Sequence, residues 1–240
     1  MTLPNYFGAD VAARYDEGTA HHPVEPVVDA LVELAGGGRV LDVGAGTGRV
    51  ALHLARAGCT VTALDLDAGL LAVLSERARA EGLDVRVIAA DAADFDAGEQ
   101  FDLVAVPMQT IQLLPGEAAR AGFFASARGA LAPGGLVALA IATEMETFGD
   151  GEVPPPDIGF NDGARYVSQP TAVRAIPGGT RIERLRRVIP PGTTEHDVIV
   201  LATVTAASLA AEAAGLHPEP VRYIEPTLDH VGSEVVVLRG

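Results

Sequence analysis

The chain has 240 residues, 48% of them hydrophobic, which is enough for a full core in one domain carrying insertions. Against 32 acidic side chains stand 17 basic ones, all arginine, and the net charge of -15 argues against DNA or RNA as a partner. The single cysteine, Cys59, excludes an intramolecular disulfide.

Residues 5–17 read as a short helix or ordered arm and 26–35 as an amphipathic helix, so that 1–38 forms an N-terminal helical cap able to fold over a ligand. Residues 1–10 have neither the basic region nor the apolar run of a leader. From 39 to 142, β-branched runs at 40–43, 60–64, 85–89, 103–106 and 136–141 alternate with helical stretches at 48–57, 68–81 and 117–131. Gly58, Gly82 and Pro133-Gly134-Gly135 stop those helices. This is the pattern of βαβ units in an open, doubly wound, mostly parallel sheet. Cys59 opens the second strand, where a buried and inert thiol is expected.

Residues 143–204 form an insertion. Its first part, 144–162, reads as loop with Pro154, Pro155 and Pro156 in succession, and 166–204 reads as two or three antiparallel strands turning at Pro177-Gly178-Gly179 and Pro190-Pro191-Gly192. Four arginines lie between Arg181 and Arg187, but Ile182, Glu183 and Leu185 interrupt them, which suits a solvated strand face better than a nucleic-acid patch. Residues 198–211 come closest to a membrane span and are too short, with Thr203, Thr205 and Ser208 among them, so no membrane partner and a cytoplasmic location are expected. The last segment, 205–240, supplies a helix at 206–214 stopped by Gly215 and strands at 220–224 and 234–238 that complete the core sheet.

The most informative stretch is Val40-Leu41-Asp42-Val43-Gly44-Ala45-Gly46-Thr47-Gly48-Arg49-Val50, where a buried strand runs into a glycine-rich turn and a helix. Gly44 suits a tight turn, Gly46 keeps a side chain out of a ligand's path, and Gly48 permits close packing of helix on strand. Arg49 stands where a dinucleotide fingerprint has its last glycine, and Asp42 would welcome a cationic amino group but not a pyrophosphate. A P-loop is excluded, because the chain contains no lysine. About twenty residues past the first glycine, Asp65 ends the second strand, where a carboxylate can accept both hydroxyls of a ribose. Leu66 would lie against an adenine, and Asp67 caps the next helix. At the third strand's end, Asp91 either accepts from an adenine amino group, with the Ala92 N–H reading a ring nitrogen, or serves as a turn residue.

These motifs, in this order across 40–141, resemble the class I S-adenosylmethionine-dependent methyltransferases. Phe101-Asp102-Leu103-Val104-Ala105-Val106 with Pro107-Met108-Gln109-Thr110 is similar to that family's fourth strand, and Leu131-Ala132-Pro133-Gly134-Gly135 to the turn before its fifth. The resemblance implies a Rossmann-like, seven-stranded sheet with an inserted antiparallel element, the last strand entering antiparallel. It implies S-adenosylmethionine as cofactor and S-adenosylhomocysteine as product. The segment Asp42, Gly44, Ala45, Gly46, Gly48 would hold the methionine portion, Asp65 the ribose, Asp91 and Ala92 the adenine, with Tyr15 and Arg14 closing over the cofactor. The insertion resembles the extra sheet that some small-molecule and sugar-amine methyltransferases use as a lid or dimer surface, so a homodimer through these strands is an expectation.

Met108, Gln109, Thr110 and Gln112, just past the fourth strand, are the candidates to face the methyl group, Met108 alternatively packing in the core. Gln109, Gln112 or His230 would orient an acceptor or serve as base, and His21 and His22 read as loop residues. No His, Cys, Asp and Glu set shows metal-ligand spacing, and no metal is expected. The reaction this implies is methyl transfer to N or O of a small, secondary-metabolite acceptor. The alternatives are a cofactor-dependent cyclisation or rearrangement, or a cofactor-binding subunit without catalysis.

Overall fold

The structure is a computed structural model that describes residues 25–142, 147–148, 156–161, 164–190, 192–225 and 232–240. The first helix, α1 (Glu25–Ala35), precedes β1 (Arg39–Val43), α2 (Ala51–Arg56), β2 (Thr60–Asp65), α3 (Ala68–Ala80), β3 (Val85–Ala89) and β4 (Phe101–Val106). Then come α4 (Thr110–Leu113), α5 (Gly116–Ala130) and β5 (Leu131–Ile141). The insertion supplies β6 (Asp157–Asn161), β7 (Ala164–Ile176), β8 (Gly179–Ile189) and β9 (Thr193–Ala202). The chain closes with α6 (Ala206–Glu212), β10 (His217–Pro218), β11 (Arg222–Ile224) and β12 (Ser233–Arg239).

The main sheet runs β10-β12-β5-β4-β1-β2-β3, with β11 also on β12. β1 to β5 pair in parallel, and β12 enters antiparallel beside β5. Eight strands fill the seven positions expected, because β10 and β11 lie end to end along the free edge of β12. The Glu219 N–H, which donates to the Val237 carbonyl, continues the ladder between them. The central strands are apolar on both sides because both faces are covered. On one face α1, α2 and α3 pack over Val40, Val61, Ala63 and Leu103. On the other, α5 and α6 bring Phe123, Phe124 and Leu209 onto Leu41, Val104 and Leu139. Cys59 is buried, and burial pushes its thiol pKa up, as an inert thiol requires.

The insertion is a separate four-stranded antiparallel sheet, β6-β7-β8-β9. The loop expected across 144–162 is corrected here: β6 pairs along β7 from Asp157↔Ser168 to Asn161↔Ala164. Ile158 and Phe160 set among Asp157, Gly159 and Asn161 carry little strand signal, and the long β7 edge recruits the segment. The arginines of 181–187 lie on β8, as expected of a strand, but not all are solvated: Arg184 and Arg186 share the Asp197 carboxylate at 2.9 and 3.0 Å. Among the described residues no helix is long and apolar enough to cross a membrane.

Candidate functional site

Sheet order reverses direction at β1, with β2 on one side and β4 on the other, and the carboxyl ends of these strands open a crevice there. The glycine turn lines its floor. Gly44, Gly46 and Gly48 all have positive φ, at 77°, 54° and 92°. The N–H groups of Gly44 and Ala45 donate to the Leu64 carbonyl at 2.8 and 3.0 Å, which docks the turn on the end of β2. A Cβ on Gly46 would meet nothing within 4 Å, so this position faces open space. A Cβ on Gly44 would lie 2.5 Å from Thr110 Cγ2, and one on Gly48 2.7 Å from Leu74 Cγ. The role expected of Gly48 is therefore corrected: it makes room for α3, not for its own strand.

Two carboxylates flank this turn. Asp42 is fully buried, and among the described residues neither carboxylate oxygen has a partner in hydrogen-bond geometry, the Ala51 amide being the backbone donor that influences it. Its pKa is pushed up to about 7, chiefly by burial and further by the nearby Asp65 carboxylate, with the Ala51 amide offsetting part of the rise. A buried, unpaired carboxyl is costly in a fold that has no use for it. Asp65 is half-buried and held in place: Oδ2 accepts from the Gly46 N–H at 2.8 Å and Oδ1 from the Asp67 N–H at 2.9 Å. Each oxygen keeps a lone pair for an outside donor. Asp67 caps α3, accepting from the N–H groups of Gly69 and Leu70. Leu66 beside it is 49% exposed, an apolar surface at the mouth of the crevice. At the end of β3, Asp91 Oδ1 accepts from the Ala93 N–H, so one oxygen serves the turn while the side chain remains exposed next to half-buried Ala92.

Past β4 the backbone is strained. Met108 and Gln109 have φ of 54° and 62°, the non-glycine residues with positive φ among those described, and such strain collects at functional sites. It turns Met108 outward, 37% exposed, so the core packing alternative does not hold. Gln109 is half-buried at the same rim. Gln112 differs from the expectation of an acceptor-orienting group. It is 3% exposed; its Nε2 donates to the carbonyls of Ala142 and Ala202, each at 3.1 Å, and its Oε1 accepts from the Ala142 N–H at 2.9 Å. Both amide protons are thus committed to main chain. Tyr15, Arg14, His21, His22 and His230 lie outside the described residues. Among the described residues no group of three or more His, Cys, Asp and Glu could hold a metal ion.

The glycine cradle, the orphaned Asp42 and the exposed Leu66 and Met108 fit a ligand with a cationic end, a ribose and a flat apolar ring. Residues 40–135 match the family model of a methyltransferase domain. The chain carries a class I S-adenosylmethionine-dependent methyltransferase fold. An uncharacterized protein of Mycobacterium tuberculosis is 43% identical over 97 residues, covering 40% of this chain and 34% of that protein. The match thus spans about a third of that curated relative's length. The crystal structure of Streptomyces venezuelae DesVI aligns with 95% of this chain and 92% of its own at a TM-score of 0.70 and 25% identity. The S-adenosylmethionine-bound amino pentose methyltransferase CalS10 from Micromonospora echinaspora aligns over 100% of both chains, also at 0.70 and 25%. These alignments extend through the inserted sheet of the methyltransferase fold.

Proposed function

We propose that this methyltransferase-fold chain binds S-adenosylmethionine across the Gly44–Gly48 turn and transfers its methyl group to nitrogen or oxygen of a small molecule, a secondary metabolite by class. The observation that carries the reading is the pairing of an unpartnered, buried Asp42 with an open Gly46 between it and Asp65. An amino pentose methyltransferase with S-adenosylmethionine bound among the structural neighbours supports it. A dimer of two copies joined through their inserted sheets is part of the proposal.

When bound, the cofactor supplies an electrophilic methyl on a sulfonium whose leaving group is a thioether. The chain's residues hold and aim. Asp42 would offer its carboxylate to the amino group, Asp65 would accept from the ribose hydroxyls, Leu66 would cover the adenine, Asp91 would accept from its amino group, and the Ala92 N–H would donate to a ring nitrogen. Met108 and Gln109 line the acceptor side, where the Gln109 amide orients the nucleophile. Alignment of this kind can replace a dedicated base when the acceptor is a neutral amine. Tyr15 and Arg14 are proposed to close over the cofactor, and His230 to orient the acceptor or serve as base.

Calorimetric titration of S-adenosylhomocysteine tests the reading. The folded wild-type chain is expected to bind it, and Asp65→Ala to weaken binding by about 2 kcal/mol, the scale of charge-assisted hydrogen bonds. Unchanged affinity in the folded variant would overturn the ribose assignment, and no binding by the wild type would overturn the function. Release of S-adenosylhomocysteine with candidate amine and hydroxyl acceptors then separates methyl transfer from binding alone.

A further inference from the structure

Helix α4 has only four residues and cannot hold itself together in isolation. Its side chains each answer to a different neighbour. Thr110 fills the space above Gly44, where no side chain could stand. Leu113 packs against Val173, Ile182 and Leu201 of the inserted sheet. Between them, Gln112 joins two main chains that are far apart in sequence: Ala142, the residue after β5, and Ala202, the last residue of β9.

A packing role does not explain this choice. An amide buried at 3% exposure is tolerated only because its groups are satisfied, and an aliphatic residue would fill the same volume without that demand. What the amide adds is direction. The hydrogen bonds of Gln112 run from the end of β5 to the end of β9, two residues along the helix from Thr110, which packs on Gly44.

We infer that Gln112 is a positioning residue that latches the inserted sheet to the core at the mouth of the crevice, and that through Thr110 and Gly44 a ligand on the glycine turn is felt at β9. The second half of the inference rests on the methyltransferase reading. The first does not.

Hydrogen exchange followed by mass spectrometry on the full chain tests both halves. Gln112→Met keeps the side chain's length and loses the hydrogen bonds. Without ligand, amides of 193–203 should exchange at least tenfold faster in this variant, while those of β1, β2 and β4 keep their wild-type rates. Equal rates at 193–203 would overturn the latch, and a rise spread over all strands would reduce Gln112 to a core stabiliser. Gln112→Glu gives a readout that packing alone would not move. A buried glutamic acid titrates high, and its protonated form regains an acceptor and one donor. Protection at 193–203, corrected for intrinsic exchange, should therefore return at low pH and vanish at high pH; protection independent of pH would overturn the hydrogen-bonded latch.

The ligand arm uses S-adenosylhomocysteine. It should slow exchange at 193–203 several-fold in the wild type but not in Gln112→Met, with the dissociation constant of the two within threefold. Equal slowing in both would overturn the coupling through Gln112. If the wild type does not bind this probe, the methyltransferase reading fails, and the ligand-free arm still decides the latch.

Discussion

Asp42 carries the sharpest consequence of a single residue. Its pKa near 7 means that the folded chain holds a proton there which the unfolded chain releases near 3.8. Between those values the native state binds more protons, so this group's contribution to stability falls as pH rises through the window, and above it the cost levels off at about 4 kcal/mol. Asp42→Asn should therefore raise the ligand-free melting temperature at pH 8 and change it little at pH 4, read by thermal denaturation at both. The same substitution should weaken S-adenosylhomocysteine, because the neutral amide no longer meets an ammonium. In the wild type, affinity should rise with pH up to about 7, and binding at pH 6 should release a proton, detectable by calorimetry in buffers of different ionisation enthalpy. A flat profile would show that Asp42 faces no cation.

Gly46 separates binding from folding at the neighbouring position. Its Cβ direction is open, so Gly46→Val costs the fold only its left-handed strain, about 1 kcal/mol, but places a side chain where the ligand would lie. A folded variant with lost affinity is expected, and a crystal of it with ligand in place would refute the claim. The tight turn at Gly44, the open position at Gly46 and the Asp67 cap are readable in sequence because each depends on a turn and its immediate neighbours. Gln112 was not readable as a latch, since its partners stand 30 and 90 residues away and both are backbone groups of alanines. Only its place just past the fourth strand drew attention to it, and for the wrong chemistry.

At the scale of elements, β1, β2, β4 and β5 were legible because parallel strands buried on both faces read as largely apolar runs between glycine stops, and the half-exposed edge strand β3 by its β-branched Val85, Val87 and Ile88. The sixth position was legible in part: the strand expected at 220–224 is β11, while β10 ahead of it is only two residues long and carries no such pattern, Glu219 to Val221 separating the two pieces. The pairing of α5 with α6 also left no pattern in the sequence. Arg120 makes a two-pronged contact to Glu212, at 2.7 and 2.9 Å, with the side chains only 7% and 17% exposed. Hydrogen bonding to that carboxylate raises the guanidinium's pKa and keeps it charged. Truncating one partner leaves the other charge buried alone, so Arg120→Ala should cost about 3 kcal/mol in urea unfolding. The double variant Arg120→Met with Glu212→Leu should recover most of that loss. A single-variant cost under about 0.5 kcal/mol, the scale of a surface pair, would show that this contact does not organise the two helices.

For the whole molecule the question is what the inserted sheet does with its second face. One end of its inner face is occupied by Leu113 and Phe148 on Val173, Ile182 and Leu201. Register places Ile158, Ile189, Val198 and Val200 on the opposite face, each between 37% and 47% exposed, the valines opposite Arg181 and Glu183 and the isoleucines toward the other end of β8. Val198 and Val200 stand side by side on the outer face of β9, a ten-residue strand at the end of the sheet, and an apolar strip along an edge strand is a surface on which a second strand can dock. A second copy meets the same surface by symmetry, but each copy carries a formal charge of -15, so association works against repulsion that salt screens. Sedimentation should accordingly find more dimer at about 0.3 M than at 0.03 M salt, where the screening length falls roughly threefold. Val198→Glu with Val200→Glu should give monomers at both salts and leave S-adenosylhomocysteine affinity unchanged, since both side chains lie on the face of the inserted sheet opposite the one packed on Leu113. A wild type that stays monomeric at high salt and tens of micromolar protein would leave this face without a partner of its own kind.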